Sequence, residues 1–146
     1  MKLRSGEPWL PAPVYARTLA ALSVDLLVRD IDRALGFHRE VLDASIVYSD
    51  KDFAVVRANG GEWMLHADHT FDGNPVAALA RMAIQRGAGI VLRLHGRDPD
   101  EAERAAVRGG FTVLAGVKDK PHGLREAYIV DPDGYVWAPD VPVKTA

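Results

Sequence analysis

The chain repeats itself. Arg29-Asp30-Ile31-Asp32-Arg33-Ala34 returns as Arg97-Asp98-Pro99-Asp100-Glu101-Ala102, each time after an apolar run that alternates with polar residues. The first run spans residues 22–28 and the second 90–95. In both, an Arg-Asp pair opens a helix with the Asp placed as its N-cap. A repeat of this length means two like units of secondary structure sharing one core, so each must be read as half of a pair.

The first unit is a strand over 22–28, then a helix from Asp30 with Ile31, Ala34, Leu35, Val41 and Leu42 as its apolar stripe. Phe37 lies beside that stripe, and His38 is read as a surface residue. Short strands follow over 45–48, 53–57 and 62–67, the last two joined by Ala58-Asn59-Gly60-Gly61, a hairpin signal. The second unit is a strand over 90–95, a helix stopped by Gly109-Gly110, a strand over 111–116 and a polar loop over 117–124. It closes with a hairpin whose arms, 125–130 and 135–138, flank Asp131-Pro132-Asp133-Gly134. Between the units lie a loop over 69–73 and a connecting helix from Asn74-Pro75 to Gly87, with Val76, Leu79, Ala80, Ala83 and Ile84 as its apolar face.

The expected class is therefore α+β: two βαβββ modules, residues 22–70 and 89–141, pair into a curved, cup-forming mixed sheet with helices outside. Residues 1–21 read as an extended arm that packs on the domain or on a partner subunit, 71–88 as the connector and 142–146 as a tail. With 146 residues the chain is long enough to bury a core. It has no cysteine, which removes disulfides, thiolate metal sites and cysteine nucleophiles. A net charge of -2 argues against a nucleic-acid partner. No apolar run is long enough to span a membrane, and the first residues lack a secretory signal, so the expected location is cytoplasmic.

Two βαβββ modules with Asp131-Pro132-Asp133-Gly134-Tyr135 near the end of the second resemble the vicinal oxygen chelate superfamily. That group includes glyoxalase I, extradiol dioxygenases, fosfomycin-resistance enzymes and bleomycin-resistance proteins. The similarity runs over about residues 22–141, most strongly at 28–37 and 128–134. It implies a site enclosed by paired modules, within one chain or swapped between two, and so a homodimer. It also implies metal ligands at four strand positions, which fall here at Ser23, His66, Gly89 and Ala138. Only His66 is a good donor, and a divalent metal needs three or more. The expectation is thus no cofactor, with a divalent metal as the alternative.

If Asp131 and Gly134 face each other across the turn, Val130 pairs with Tyr135, Ile129 with Val136, Tyr128 with Trp137 and Ala127 with Ala138. Arg125, Ala127, Ile129, Val136 and Ala138 then line the cup, Tyr128 and Trp137 lie under the helices, and Glu126 faces away. Alternation adds Asp25, Phe53, Val55, Arg57, Met64, His66, Arg93 and His95 to the lining, with His122 in a loop that closes over it. Such a lining suits a small organic ligand. The leading expectation is a metal-free binding protein of the bleomycin-resistance kind, sequestering a ligand or antibiotic. The alternative is a lyase, isomerase or dioxygenase-related enzyme using an atypical metal site, or Asp25 and His66 as an acid–base pair. Asp25 also has a plainer reading, as a carboxylate balanced by Arg93 or Arg125.

Overall fold

The computed structural model describes residues 1–145 of the chain. The duplicated architecture is present. In module 1, β1 (Asp25–Val28) leads into α2 (Ile31–Glu40), then β2 (Ser45–Ser49), β3 (Phe53–Ala58) and β4 (Gly61–Ala67). In module 2, β5 (Val91–His95) leads into α4 (Pro99–Gly109), then β6 (Thr112–Asp119), β7 (Leu124–Val130) and β8 (Val136–Pro142). Each module is a four-stranded mixed sheet of the same order, β1-β4-β3-β2 and β5-β8-β7-β6. A short helix, α1 (Ala12–Ala16), precedes the first module, and a 3-10 turn (Asp68–Phe71) and α3 (Pro75–Met82) link the two. No helix among the described residues is long and apolar enough to cross a membrane.

Local chemistry sets the boundaries. Asp30 accepts a hydrogen bond from the Arg33 N–H at 2.8 Å, and Asp98 from the Asp100 N–H at 2.8 Å, so the repeated Asp is a cap in both modules. Asn59 and Gly60 both take positive φ, as a two-residue hairpin turn requires. The connecting helix ends at Met82, well before Gly87, and Val76, Leu79 and Met82 are exposed. Only Ala77 of α3 is buried, so the apolar stripe read from the sequence is not covered within this chain. Strand β6 runs to Asp119, past the expected Gly116, because β7 continues to pair with it through two irregularities in register.

One core lies on the helix side of both sheets. It joins Leu26, Val28 and Trp63 of module 1 to Leu94, Ile129 and Trp137 of module 2. The modules lock together through their hairpins. Asn59 Nδ2 donates to the His95 carbonyl at 3.0 Å, and Tyr135 Oη donates to the Leu27 carbonyl at 2.9 Å. Asp133 accepts from the Arg29 N–H at 2.9 Å. Gly134 passes so close to the Gln85 backbone that a Cβ there would stand 2.7 Å from its Cα. The turn after Val130 is therefore both a chain reversal and the contact that seats module 2 on β1.

His38 corrects the sequence reading. It is 1 % exposed, with its ring 5.8 Å from Trp63 and 5.4 Å from Trp137. The closing hairpin is also one step out of the expected register: Val130 pairs with Val136, Ile129 with Trp137 and Glu126 with Asp140. The turn holds Asp131 to Tyr135, with the Asp131 N–H donating to the Tyr135 carbonyl at 2.9 Å, so it is longer than the four-residue turn assumed. A one-residue slip exchanges the faces of a strand. Ala127 and Ile129 thus lie in the helix-side core, and Tyr128 and Glu126 face the cup.

Candidate functional site

The cup face of module 1 is not open. Residues 1–19 lie across it as an arm that is folded, not simply extended. The arm is fastened at the β2–β3 turn, where the fully buried Asp52 carboxylate accepts the Leu3 N–H at 2.8 Å and the Arg4 N–H at 3.0 Å. His69 Nε2 lies 2.6 Å from the same carboxylate. Burial pushes the Asp52 carboxyl up, but the hydrogen bonds from Arg4, His69 and Leu3 outweigh it and hold the group at about 2. At the other end Tyr15 Oη donates to Glu62 at 2.8 Å, and Trp9 stacks on Tyr48 at 5.3 Å. Tyr15, Phe53, Val55 and Met64 form a second buried cluster, separate from the main core.

Between arm and sheet remains an apolar cavity of about 180 Å³, lined among others by Trp9, Tyr15, Leu19, Phe53, Met64 and His66. At its wall His66 Nδ1 is 2.7 Å from Asp25 Oδ1. An ionised carboxylate only accepts, so Nδ1 carries the proton and a neutral ring keeps its lone pair on Nε2. Phe53 and Phe71 flank the imidazole at 4.8 and 5.3 Å. The two residues named from sequence as an acid–base pair are therefore in contact. The register explains it: Leu27, not Asp25, pairs with His66, and Asp25 stands on the same face one pleat away.

The remaining candidates fall elsewhere. Arg57 is at the rim, 2.6 Å from Glu62 and exposed. Arg93, His95 and His122 belong to the cup face of module 2, where Arg93 Nη1 donates to Glu126 at 2.5 Å and His95 Nδ1 lies 2.7 Å from Asp140. Arg125 leaves the cup altogether, donating to Asp100 at 2.8 Å and to Asp119 at 2.9 Å, because the register slip turns it outward. The apolar cavity beside His66 is not lined by Arg93, His95 or His122, which are tied to module 2 instead, so the single lining read from sequence is two linings. Sequence reasoning missed Glu126 and Asp140, each 1 % exposed, and assigned the arm no part in the cavity it closes.

At the four metal positions, Ser23, Gly89 and Ala138 offer no strong donor, and His66 has Nδ1 committed to Asp25. No group of three or more His, Cys, Asp or Glu among the described residues is arranged to hold a metal ion. The residues present do not fit the metal centre that this architecture implies.

A family model described as Glyoxalase/Bleomycin resistance protein/Dioxygenase superfamily matches residues 20–138. None of the curated proteins compared with the chain matches it. Among solved structures, a glyoxalase-related enzyme from Fulvimarina pelagi shares 20% identity over 84% of this chain and 88% of its own, with a TM-score of 0.66. A glyoxalase/bleomycin resistance protein/dioxygenase family enzyme from Burkholderia phytofirmans PsJN shares 16% over 83% and 97%, with a TM-score of 0.67. TioX from Micromonospora sp. ML1 shares 20% over 87% and 99%, with a TM-score of 0.60. At these identities the likeness is one of fold.

Proposed function

The chain belongs to the Glyoxalase/Bleomycin resistance protein/Dioxygenase superfamily, and from that membership we propose that it binds a small organic ligand without metal, in the arm-covered cup of module 1. The observation that carries this reading is the apolar cavity beside the Asp25–His66 pair. A volume of about 180 Å³ suits one ring, since an apolar cavity of roughly 150 Å³ accepts benzene. His66 Nε2 is the polar anchor, and the aromatic walls supply the apolar burial. A large antibiotic does not fit while the arm is in place, so sequestration by this site applies to single-ring compounds or follows release of the arm.

A second reading is favoured by one contact, the 2.7 Å approach of His66 to Asp25. A carboxylate that holds Nδ1–H leaves Nε2 as a base toward the cavity, which is the arrangement of general-base catalysis. On that reading the chain abstracts a proton from the bound compound, and any turnover vanishes in His66→Ala. Turnover that survives this change removes it.

Trp9 reports binding directly, because it lines the cavity and stacks on Tyr48. Titrating phenol, benzoate and catechol into the full chain is expected to change Trp fluorescence saturably with at least one of them. The same compound is expected to raise the melting temperature, since binding to the folded state alone stabilises it. A flat response to all three in both measurements would remove the site.

A further inference from the structure

The cup face of module 2 holds a cluster that the proposed site does not use. Glu126 and Asp140 pair across β7 and β8, each 1 % exposed, so two carboxylates are buried side by side. Four basic groups surround them. Arg93 Nη1 is 2.5 Å from Glu126 and 3.7 Å from Asp140, and His95 Nδ1 is 2.7 Å from Asp140. Lys120 Nζ and His122 Nε2 stand 3.9 and 4.0 Å from Glu126. Those last two distances are short enough for the carboxylate's charge to hold the groups and too long for hydrogen bonds. Neither group is hydrogen-bonded to Glu126, and Lys120 Nζ also lies over the Tyr128 ring, 5.8 Å from its centroid.

The exposures are ordered by sign. The carboxylates are buried, whereas the side chains of Lys120, Arg93, His122 and His95 are 31 to 69 % exposed. What the solvent meets is a rim of N–H donors, with Tyr128 Oη tied to Glu126 at 3.0 Å and Ala138, which carries only a methyl group, paired with Arg93. One feature of the cluster is unsatisfied. Asp140 Oδ2 is buried and accepts no hydrogen bond, a state that costs free energy unless a donor completes it.

We propose that this cluster is a second binding site, for a small oxyanion that itself carries a proton donor: a hydrogen phosphate group or a hydroxy carboxylate. The oxyanion oxygens accept from Lys120, His122 and Arg93, and the ligand's own O–H donates to the buried Asp140 Oδ2, which opens to it when the exposed His95 ring turns aside. The buried carboxylates hold the donors in place and make the site selective, because an oxyanion without a proton meets Asp140 with repulsion and no hydrogen bond. This site is independent of the module 1 cavity.

The test compares matched anions. Phosphate against sulfate, and glycolate against acetate, are titrated into the full chain while the histidine Cε1–H signals are followed by NMR. The expected result is a saturable shift of His95 and His122 with phosphate or glycolate, about tenfold tighter than with sulfate or acetate respectively. Arg93→Gln risks the fold by leaving Glu126 unpaired, so the decisive variant is Lys120→Gln with His122→Gln, the first half-buried and the second exposed. It is expected to weaken binding at least tenfold as read at His95, while His66→Ala leaves it unchanged. No saturable shift with any of the four anions would overturn the proposal. So would equal affinity within both pairs, or undiminished binding in the double variant.

Discussion

Replacing Asp131 by alanine is expected to lower stability by about 3–5 kcal/mol, a loss measurable as a fall in the denaturant midpoint. Its carboxylate, only 7 % exposed, accepts three hydrogen bonds within the closing turn. The Asp133 N–H donates at 2.9 Å, the Tyr135 N–H at 3.0 Å and Trp137 Nε1 at 3.1 Å. Removing it strands all three donors in the core, each at a cost of about 1–3 kcal/mol before relaxation. The turn it holds also carries Asp133 and Tyr135, which seat module 2 on β1. Damage therefore spreads to the joint between modules. Asp131→Asn keeps an acceptor and is expected to recover part of the loss. An alanine variant within 1 kcal/mol of the parent would show that the turn is held by something else.

His38 makes the second large prediction. Burial against Trp63 and Trp137 lowers its pKa from the ordinary 6.5 to about 3. The folded state thus holds a neutral ring, while the unfolded chain takes up a proton below pH 6.5. The stabilisation is complete above the unfolded value and is lost as pH falls toward about 3. The expected result is an acid-induced loss of a few kcal/mol over that range, absent in His38→Leu, which is close in volume. Asp131 acts in the opposite sense. Burial pushes its carboxyl up to about 6 against the three N–H donors, so the pH-linked part of its contribution is present below pH 3.8 and lost as pH rises through about 6, while the three hydrogen bonds remain. The His38 effect is accordingly read as the difference between parent and His38→Leu. Parallel pH profiles for the two chains would remove it.

The repeat made most of the fold legible. Asp30 and Asp98 cap their helices because an Asp before an apolar stripe has a backbone donor to satisfy in either module, and Asn59-Gly60 can form little else than a tight turn. The errors have equally local causes. His38 lies three, four and seven residues after Leu35, Ala34 and Ile31, on the very stripe those residues define, so spacing placed it in the core while its polarity argued otherwise. The Asp131 turn is longer than its Pro-Asp-Gly letters suggest, since its length depends on the Asp131 carboxylate gathering donors as far away as Trp137. That one residue moved Arg125 out of the cup and Glu126 into it.

The candidate site was legible residue by residue but not in its grouping. Strand alternation put Asp25, Phe53, Met64 and His66 on one face of the sheet, and the strand register sets them there. Nothing in their spacing shows that Arg93 and His95 serve a different surface, because that follows from how the two sheets meet. The arm was the hardest part. Its seat depends on Asp52, a turn residue whose buried carboxylate is explained only by the Leu3 and Arg4 amides that reach it across the fold.

The most direct test of ligand binding under the arm is the methyl signal of Met64, which lines the cavity among aromatic rings. The ring compound that gives the largest Trp fluorescence response is titrated into the parent chain and into Ala16→Leu, which fills the cavity from the arm side. The expected result is a saturable Met64 shift in the parent, with affinity at least tenfold weaker in Ala16→Leu. A Met64 signal that does not move, or that moves with the same affinity in both chains, would contradict binding in this cavity.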